Sequence, residues 1–304
     1  MRYGTPYKGS KNLIAQWICD TLPKAENFYD LFAGGCAVSH CALLSGKYEY
    51  VHANDLDGAV QLFYDAIHGK YKNEKCWISR EDFKALKDTD EYVRFCWSFG
   101  NNGKNYLYSK EIEPWKKALH YARVLKDFSL LKAIGIDTND ASRVWIKSHS
   151  VECKEKYIKW YCKAVSLQSL ERLESLQRLQ SLQSLERLQI SQKDYREIEI
   201  KENSVIYCDI PYRNTNGYAV EFDHDAFYDW CENQRALVVV SEYAMPEERF
   251  IRVASKEKVQ LLNGKGSGRV VEEGLFIPKN QLKQWQKLQE AKIEKTDMQL
   301  ELIV

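Results

Sequence analysis

The run Asn27-Phe28-Tyr29-Asp30-Leu31-Phe32-Ala33-Gly34-Gly35 constrains the fold more than any other stretch of the 304 residues. Six residues that read as a buried strand stop at two glycines, and a helical run follows from Cys36 to Leu44. Tyr50-Val51-His52-Ala53-Asn54-Asp55 reads as a second strand, with helical spacing from about Asp57 to His68. A strand, a glycine turn, a helix and a second strand make a β-α-β start, and such units build parallel sheets. Upstream, Ser10 is placed to cap a helix through Leu13, Ile14, Trp17, Ile18 and Leu22 that stops at Pro23.

The alternation returns beyond position 200. Ser204–Cys208 is a short apolar strand that runs into Asp209-Ile210-Pro211-Tyr212. Asp223–Cys231 has helical spacing, and Leu237-Val238-Val239-Val240 is rich in β-branched strand formers. Phe250–Val253 and Leu275–Ile277 are further strand candidates, and Lys279–Thr296 reads as a polar terminal helix. The expected class is therefore α/β, a Rossmann-like doubly wound sheet carrying an inserted, mainly helical lobe. Residues 1–68 and 198–304 are assigned to the core, and 69–162 to the insertion.

Between Gly69 and Trp160 stand 19 Lys/Arg against 13 Asp/Glu, while the rest of the chain has 25 against 30. A basic middle in a slightly acidic chain suits phosphates, although a solvated lysine-rich face would look the same. Within it, Arg94 leads through aromatic residues to a turn at Gly100-Asn101-Asn102-Gly103-Lys104. Residues 163–190 form a low-complexity repeat, with leucine at every third position from Leu167 to Leu188. Such spacing drifts about 60° per step around an α-helix, so a long helix of this kind has no steady apolar face. We read it as an expanded insertion dispensable for chemistry, a small self-association element being the alternative.

Nine cysteines, an odd count without a C-x-x-C pair, argue against structural zinc and against a disulfide framework. Apolar runs such as Ala236–Val240 are too short to span a bilayer, and the start of the chain lacks a signal-peptide pattern. These features lead to the expectation of a cytoplasmic protein, associated with the nucleoid if it binds DNA.

Two loops carry chemistry. A glycine turn after a parallel strand lets backbone approach a ligand, and an acid at the end of the next strand, Asp55, is placed to accept ribose hydroxyls. The spacing is not G-x-G-x-x-G, which disfavours a dinucleotide. Singly, the glycines read equally as a plain turn and Asp55 as a helix cap. Asp209-Ile210-Pro211-Tyr212 offers a carboxylate, the Ile210 carbonyl, a stiffening proline and an aromatic face. Together these can accept the two hydrogens of a base amino group and stack an extruded base. Alone, the tetrapeptide reads equally as a strand-to-turn junction.

In the order of these motifs the chain resembles the Dam-like (D12 class) family of adenine-N6 DNA methyltransferases. Pro6-Tyr7-Lys8-Gly9-Ser10-Lys11 resembles the family's opening motif, which implies that Tyr7 and Lys11 contact the methyl donor, S-adenosylmethionine. Asp30, Phe32, Ala33, Gly34 and Gly35 are similar to its donor loop, and Asn54-Asp55 to its ribose site. The Phe95–Gly103 stretch is similar to part of its target-recognition lobe, which implies DNA contacts at Arg94, Asn101, Asn102 and Lys104. Val239-Val240-Ser241-Glu242-Tyr243 resembles a later core strand and its end.

The resemblance implies catalysis by Asp209, Ile210, Pro211 and Tyr212, with Asp209 also facing the donor, double-stranded DNA as substrate and no metal. The family's catalytic motif is Asp-Pro-Pro-Tyr, and here Ile210 replaces the first proline. The carbonyl assigned there is one that any residue has, but the loop loses the rigidity of two prolines. A weakened DNA-binding homologue is the alternative from another class. Cytosine-N4 enzymes usually carry Ser or Thr where Asp209 stands, and RNA or protein-amide enzymes more often Asn. Oligomeric state is open, with a monomer favoured. So are the recognised sequence and the role, whether regulation, restriction partner or phage protection.

Overall fold

The computed structural model describes residues 3–134, 167–179, 185–212, 222–260 and 269–290. By its internal contacts the chain forms two compact units. The first comprises Met1–Gly4, Ser10–Val60 and Gln183–Val304, and the second Thr5–Gly9 and Gln61–Leu182.

The first unit is built on a seven-stranded sheet. Its strands are β1 (Asn27–Asp30), β2 (Tyr50–Asn54), β3 (Leu188–Ser191), β4 (Ser204–Cys208), β5 (Leu237–Glu242), β6 (Phe250–Gln260) and β7 (Arg269–Pro278). They lie in the order β3-β2-β1-β4-β5-β7-β6. The first five run parallel, and β7 inserts antiparallel between β5 and β6. Strands β1, β4 and β5 are buried at every residue, as parallel strands covered on both faces must be. On one face Tyr29, Leu31, Ile206, Cys208, Val238 and Val240 pack against Phe227, Tyr228 and Cys231. Those three lie on the helix His224–Glu232, whose N-terminus is capped by the Asp223 carboxylate. Gln281, in the turn Lys279–Gln281 before a helix at 282–290, accepts from Val238 N (2.8 Å) and donates to the Gln234 and Ala236 carbonyls. One buried amide thereby seats the start of β5.

Helices α1 (Ala15–Thr21), α2 (Ala37–Ser45) and α3 (Ala59–Ile67) follow in chain order. The start of α1 departs from expectation. Ser10 does not cap it: the N-cap is Ile14, without a side-chain hydrogen bond. Residues 12–14 form a turn, and Leu13 is 82% exposed instead of facing the core. The chain between Ser10 and Ile14 is occupied in placing Lys11, whose head is buried. The outer strands β6 and β7 are longer than their apolar stretches suggest, because their polar ends pair with each other as a hairpin from Phe250↔Pro278 to Gln260↔Arg269. The expected terminal helix is seen to residue 290, and its continuation lies outside the described residues.

The second unit contains α3 from Gln61 onward, α4 (Arg80–Leu86), α5 (Glu91–Cys96), α6 (Glu113–His120) continued by a wider turn at Tyr121–Leu125, α7 (Ser129–Ala133) and α8 (Gln168–Arg178). Ser79 and Asp82 form a reciprocal capping box at α4. Phe83, Tyr92, Trp97 and Tyr108 are buried, and Trp77 stacks on Tyr108 at 5.7 Å. The leucine repeat is partly built into this core. Leu167, Leu173, Leu176 and Leu179 are buried, and Arg172 donates to the Cys96 and Ser98 carbonyls (2.7 and 2.8 Å) at the end of α5. A three-residue period fails only over distance. Across Leu170, Leu173 and Leu176 the drift is about 120°, close to the width of an ordinary apolar stripe. Leu188 at the end of the repeat opens β3 in the first unit, and residues 180–184 lie outside the described residues.

Residues 135–162 of the expected insertion also lie outside the described residues. The described cysteines are all free thiols, and no described helix is long and apolar enough to cross a membrane. Leu176→Ala should cost about 2–4 kcal/mol in urea unfolding, whereas Leu13→Ala should change stability by less than about 0.5 kcal/mol. Equal small effects would show that the repeat helix is not packed.

Candidate active site

The strand order reverses direction at the neighbours β1 and β4, where the chain leaves β1 towards β2 and β3 and returns through β4 towards β5. In an open parallel sheet, ligands bind beyond the carboxyl ends of strands at such a switch point. Asp30 is in register with Ala53 on β2 and with Tyr207 on β4. Two residues further, Phe32, Asp55 and Asp209 therefore leave the sheet at one level. The parallel pattern continues past the strand ends, with Leu31 N on the Tyr207 carbonyl and Ala33 N on the Asn54 carbonyl.

The glycine turn is tied from two sides. Gly34 takes a left-handed conformation (φ 47°), and its N–H donates to Asp55 Oδ2 at 2.7 Å. Asp55 Oδ1 accepts from Asp57 N (2.8 Å). From the other side, Gly4 (φ 70°) lies so close that a Cβ there would stand 2.3 Å from the Gly35 carbonyl, and its N–H donates to His40 Nδ1. Only glycine fits Gly4, which the sequence reading missed. Asn54 joins the ends of three strands: its amide donates to the Leu31 and Lys193 carbonyls and accepts from Ser191 Oγ and Lys193 N. Phe32 turns from the glycines into the core and packs against Tyr195, Phe222 and Phe227.

Asp30 is buried below this turn and accepts from Ser39 N (3.1 Å) and Ser39 Oγ (2.6 Å) near the start of α2. Burial drives its carboxyl up to about 7. The Ser39 donors oppose the rise, and the charges of Asp209 and Asp55 add to it. Burial likewise lifts Asp55 to about 6 against its two backbone donors. Glu242, buried at the end of β5, is raised to about 7 by burial, with Glu273 and Asp209 adding.

The second loop is held by one ammonium. Lys11 Nζ lies 2.6 Å from Asp209 Oδ1 and 3.6 Å from Glu273 Oε1, and 4.7 Å from the centre of the Tyr212 ring. Burial works to lower the Lys11 pKa, but Asp209 and Glu273 outweigh it and hold the group above an ordinary lysine. The Tyr212 hydroxyl donates to Glu273 Oε1, as does Ser241 Oγ (2.6 Å). Burial, with Asp209 and Glu273 nearby, pushes the Tyr212 hydroxyl far above its usual pKa, so it remains a donor. The Tyr243 ring meets Tyr212 edge-on at 4.6 Å. Ile210 is 1% exposed, within the core cluster of Leu31, Cys208 and Val240. A ring N–H of His224 donates to the Pro211 carbonyl at 2.9 Å.

Sequence reasoning brought Lys11 to the donor. The structure pairs it with Asp209. Glu273 and His224 went unseen. Glu273 left a faint signal, an acidic pair Glu272-Glu273 placed directly before the apolar run Leu275-Phe276-Ile277, whereas nothing marked His224.

Tyr7 belongs to the second unit, where its ring packs on Phe95 at 5.4 Å. Trp97 to Leu107 forms a closed turn, with Phe99 N on the Asn105 carbonyl and Leu107 N on the Trp97 carbonyl. Gly100, Asn101 and Gly103 are left-handed there. Asn101 Nδ2 donates to the Phe95 carbonyl (2.9 Å), and Asn102 Oδ1 accepts from Lys104 N and Asn105 N. Both asparagines thus shape the turn. Arg94 lies over the Phe95 ring at 5.0 Å and 3.5 Å from Glu91, and Lys104 is exposed.

The state of Asp30 predicts a pH dependence. Its carboxyl titrates near 7 in the folded chain against 3.8 ordinarily, so folding takes up a proton between these values. The associated stability is complete below about pH 4 and is lost as the pH rises through 7. Asp30→Asn keeps an acceptor for Ser39 without the charge. It should exceed the parent by roughly 2–4 kcal/mol at pH 8, a difference that shrinks towards pH 5 in urea unfolding. A constant difference would mean that Asp30 titrates as an ordinary carboxylate.

No curated protein matches the chain. The profile described as "D12 class N6 adenine-specific DNA methyltransferase" matches residues 7–243, which contain the glycine turn, Asp55 and the Asp209–Tyr212 loop. With more than half of its length so matched, and with a seven-stranded α/β sheet compatible with a methyltransferase fold, the chain belongs to the D12 class N6 adenine-specific DNA methyltransferase family.

Proposed function

We propose that the protein transfers a methyl group from S-adenosylmethionine to adenine N6 in double-stranded DNA, after the target base leaves the stack. The observation that carries this reading is the convergence of the glycine turn, Asp55 and Asp209 at one level of the β1/β4 switch point. The donor set suits a nucleoside with a cationic tail. Asp55 uses its two oxygens on backbone N–H groups and retains lone pairs for ribose hydroxyls, while Asp30, Asp209 and Glu242 make the edge acidic. S-adenosylmethionine, when bound, supplies an already activated methyl.

The protein's own groups then orient the acceptor nitrogen. The amino group of adenine is a poor nucleophile because its lone pair is delocalised into the ring. Asp209 accepts one of its hydrogens and the Ile210 carbonyl the other. That turns the lone pair outwards, and Asp209 stabilises the positive charge that develops on nitrogen. The Lys11 contact occupies part of one Asp209 oxygen, and a carboxylate has about four acceptor positions. Tyr212 offers a face to the extruded base. The second unit serves as the target-recognition lobe, with Arg94, Asn101, Asn102 and Lys104 near the DNA.

Incubation with duplex DNA and methyl-labelled donor should place label at adenine N6. Asp209→Ala should lose ~10²–10³-fold in rate while still binding donor. Donor binding without label at adenine N6 would sink the proposal. Because Ile210 is anchored by burial, Ile210→Pro should raise turnover less than about threefold. A large gain would favour the second reading, a decayed homologue.

A further inference from the structure

We propose that Glu273, on β7 beyond the residues that match the family, is a positioning residue of the transfer site. It fixes the Tyr212 ring and shares the Lys11 charge with Asp209. The inference rests on the reading of Asp209–Tyr212 as the amino-accepting loop.

Glu273 is fully buried, beside the point where β7 pairs with Glu242 at the carboxyl end of β5. A carboxylate in such a place is costly unless it is paired and hydrogen-bonded, and an apolar side chain usually serves stability as well. Its Oε1 gathers three groups from separate parts of the chain: the Tyr212 hydroxyl, Ser241 Oγ at 2.6 Å and Lys11 Nζ at 3.6 Å. Two of the three belong to the site itself.

Two consequences follow. First, the Tyr212 ring is anchored at its hydroxyl by Glu273, by a perpendicular contact with the Tyr243 ring, and over one face by Lys11. A stacking face serves only when its plane is set before the base arrives. Secondly, one ammonium lies between two carboxylates. Without the Glu273 charge, Lys11 would act on Asp209 alone and draw electron density from the group that must accept the amino hydrogen. With it, Lys11, Asp209 and Glu273 carry a net charge of −1, the sign that stabilises a nitrogen becoming positive.

Glu273→Gln keeps the shape and an acceptor for Tyr212 and Ser241 but removes the charge. Glu273→Met removes both. Each would be compared with the parent for donor and duplex binding, urea unfolding, single-turnover methyl transfer, and NMR of ring-labelled tyrosine, with Tyr212→Phe assigning the Tyr212 signal. We expect E273Q to bind donor and DNA within about threefold of the parent, to unfold at no lower urea concentration, and to transfer ~10- to 100-fold more slowly. E273M should in addition free the Tyr212 ring, and Glu273→Asp should recover part of the rate. A merely structural role would lower stability in both variants and leave the rate of the bound complex unchanged.

Parental transfer rates in E273Q, or an unaltered Tyr212 signal in E273M, would overturn the inference. If the parent itself transfers no methyl while E273M still frees Tyr212, the failure lies with the reading of the loop, and the catalytic part of the inference falls with it.

Discussion

The Lys11 ammonium is the interaction on which the arrangement of the site depends. It comes from the turn ahead of α1, reaches Asp209 after β4 and lies beside Glu273 on β7. Two charges about 4 Å apart attract by about 4 kcal/mol at an effective dielectric of 20. Withdrawing each from water costs several kcal/mol, so the net gain in stability is small. What the cluster supplies is registration. Three segments that are remote in sequence can satisfy their charges only when brought to one point, and that point is the sheet edge where β1 and β4 diverge. The departure of α1 from its expected start has the same cause, since the chain from Ser10 to Ile14 follows the demands of Lys11 before those of a helix.

The carboxyl edge is also unusually acidic for so buried a place. Asp30 and Glu242 titrate near 7 and Asp55 near 6, and a single ammonium neutralises part of the charge. Each rise is led by burial, which penalises the charged form. An edge that holds its carboxylates at this disadvantage favours any cation that enters, because each added positive charge relieves them. That preference suits the proposed sulfonium donor better than an anionic nucleotide, for which this edge would be repulsive.

How much of this was legible in the sequence depended on where each segment is buried. The core strands β1, β4 and β5 are covered on both faces; the apolar runs of β4 and β5 announced those two, and the glycine turn that follows announced β1. Strand β3 was hidden because Leu188–Ser191 is a short edge strand, half of it polar, at the end of a leucine repeat. The full length of the β6–β7 hairpin gave little signal, since its distal residues, 256–260 against 269–273, are mostly charged or polar and pair through their backbone. The repeat itself misled through length: a period that fails over eight leucines holds over the three on α8. At the site, the motifs gave Asp209, Asp55 and the glycine turn. Glu273 acts across 61 residues of sequence from Tyr212, a pairing that only the antiparallel return of β7 creates.

Ile210 shows how a loop can be stiff without the rigidity of a ring. A proline restricts φ and offers little side chain to bury. Ile210 instead buries its side chain in the core cluster that includes Leu31, Cys208 and Val240, where removing it would leave a cavity. The next residue is fixed at both ends of its peptide unit, by the Pro211 ring and by the His224 N–H on its carbonyl. Beyond it, Tyr212 is tethered to Glu273. Three successive residues are thus held by packing, by a hydrogen bond from the helix His224–Glu232 and by a buried carboxylate. The constraint that the family writes into two prolines is here distributed over the tertiary structure, so substitutions at His224 or Glu273 bear on the loop as directly as substitutions within it.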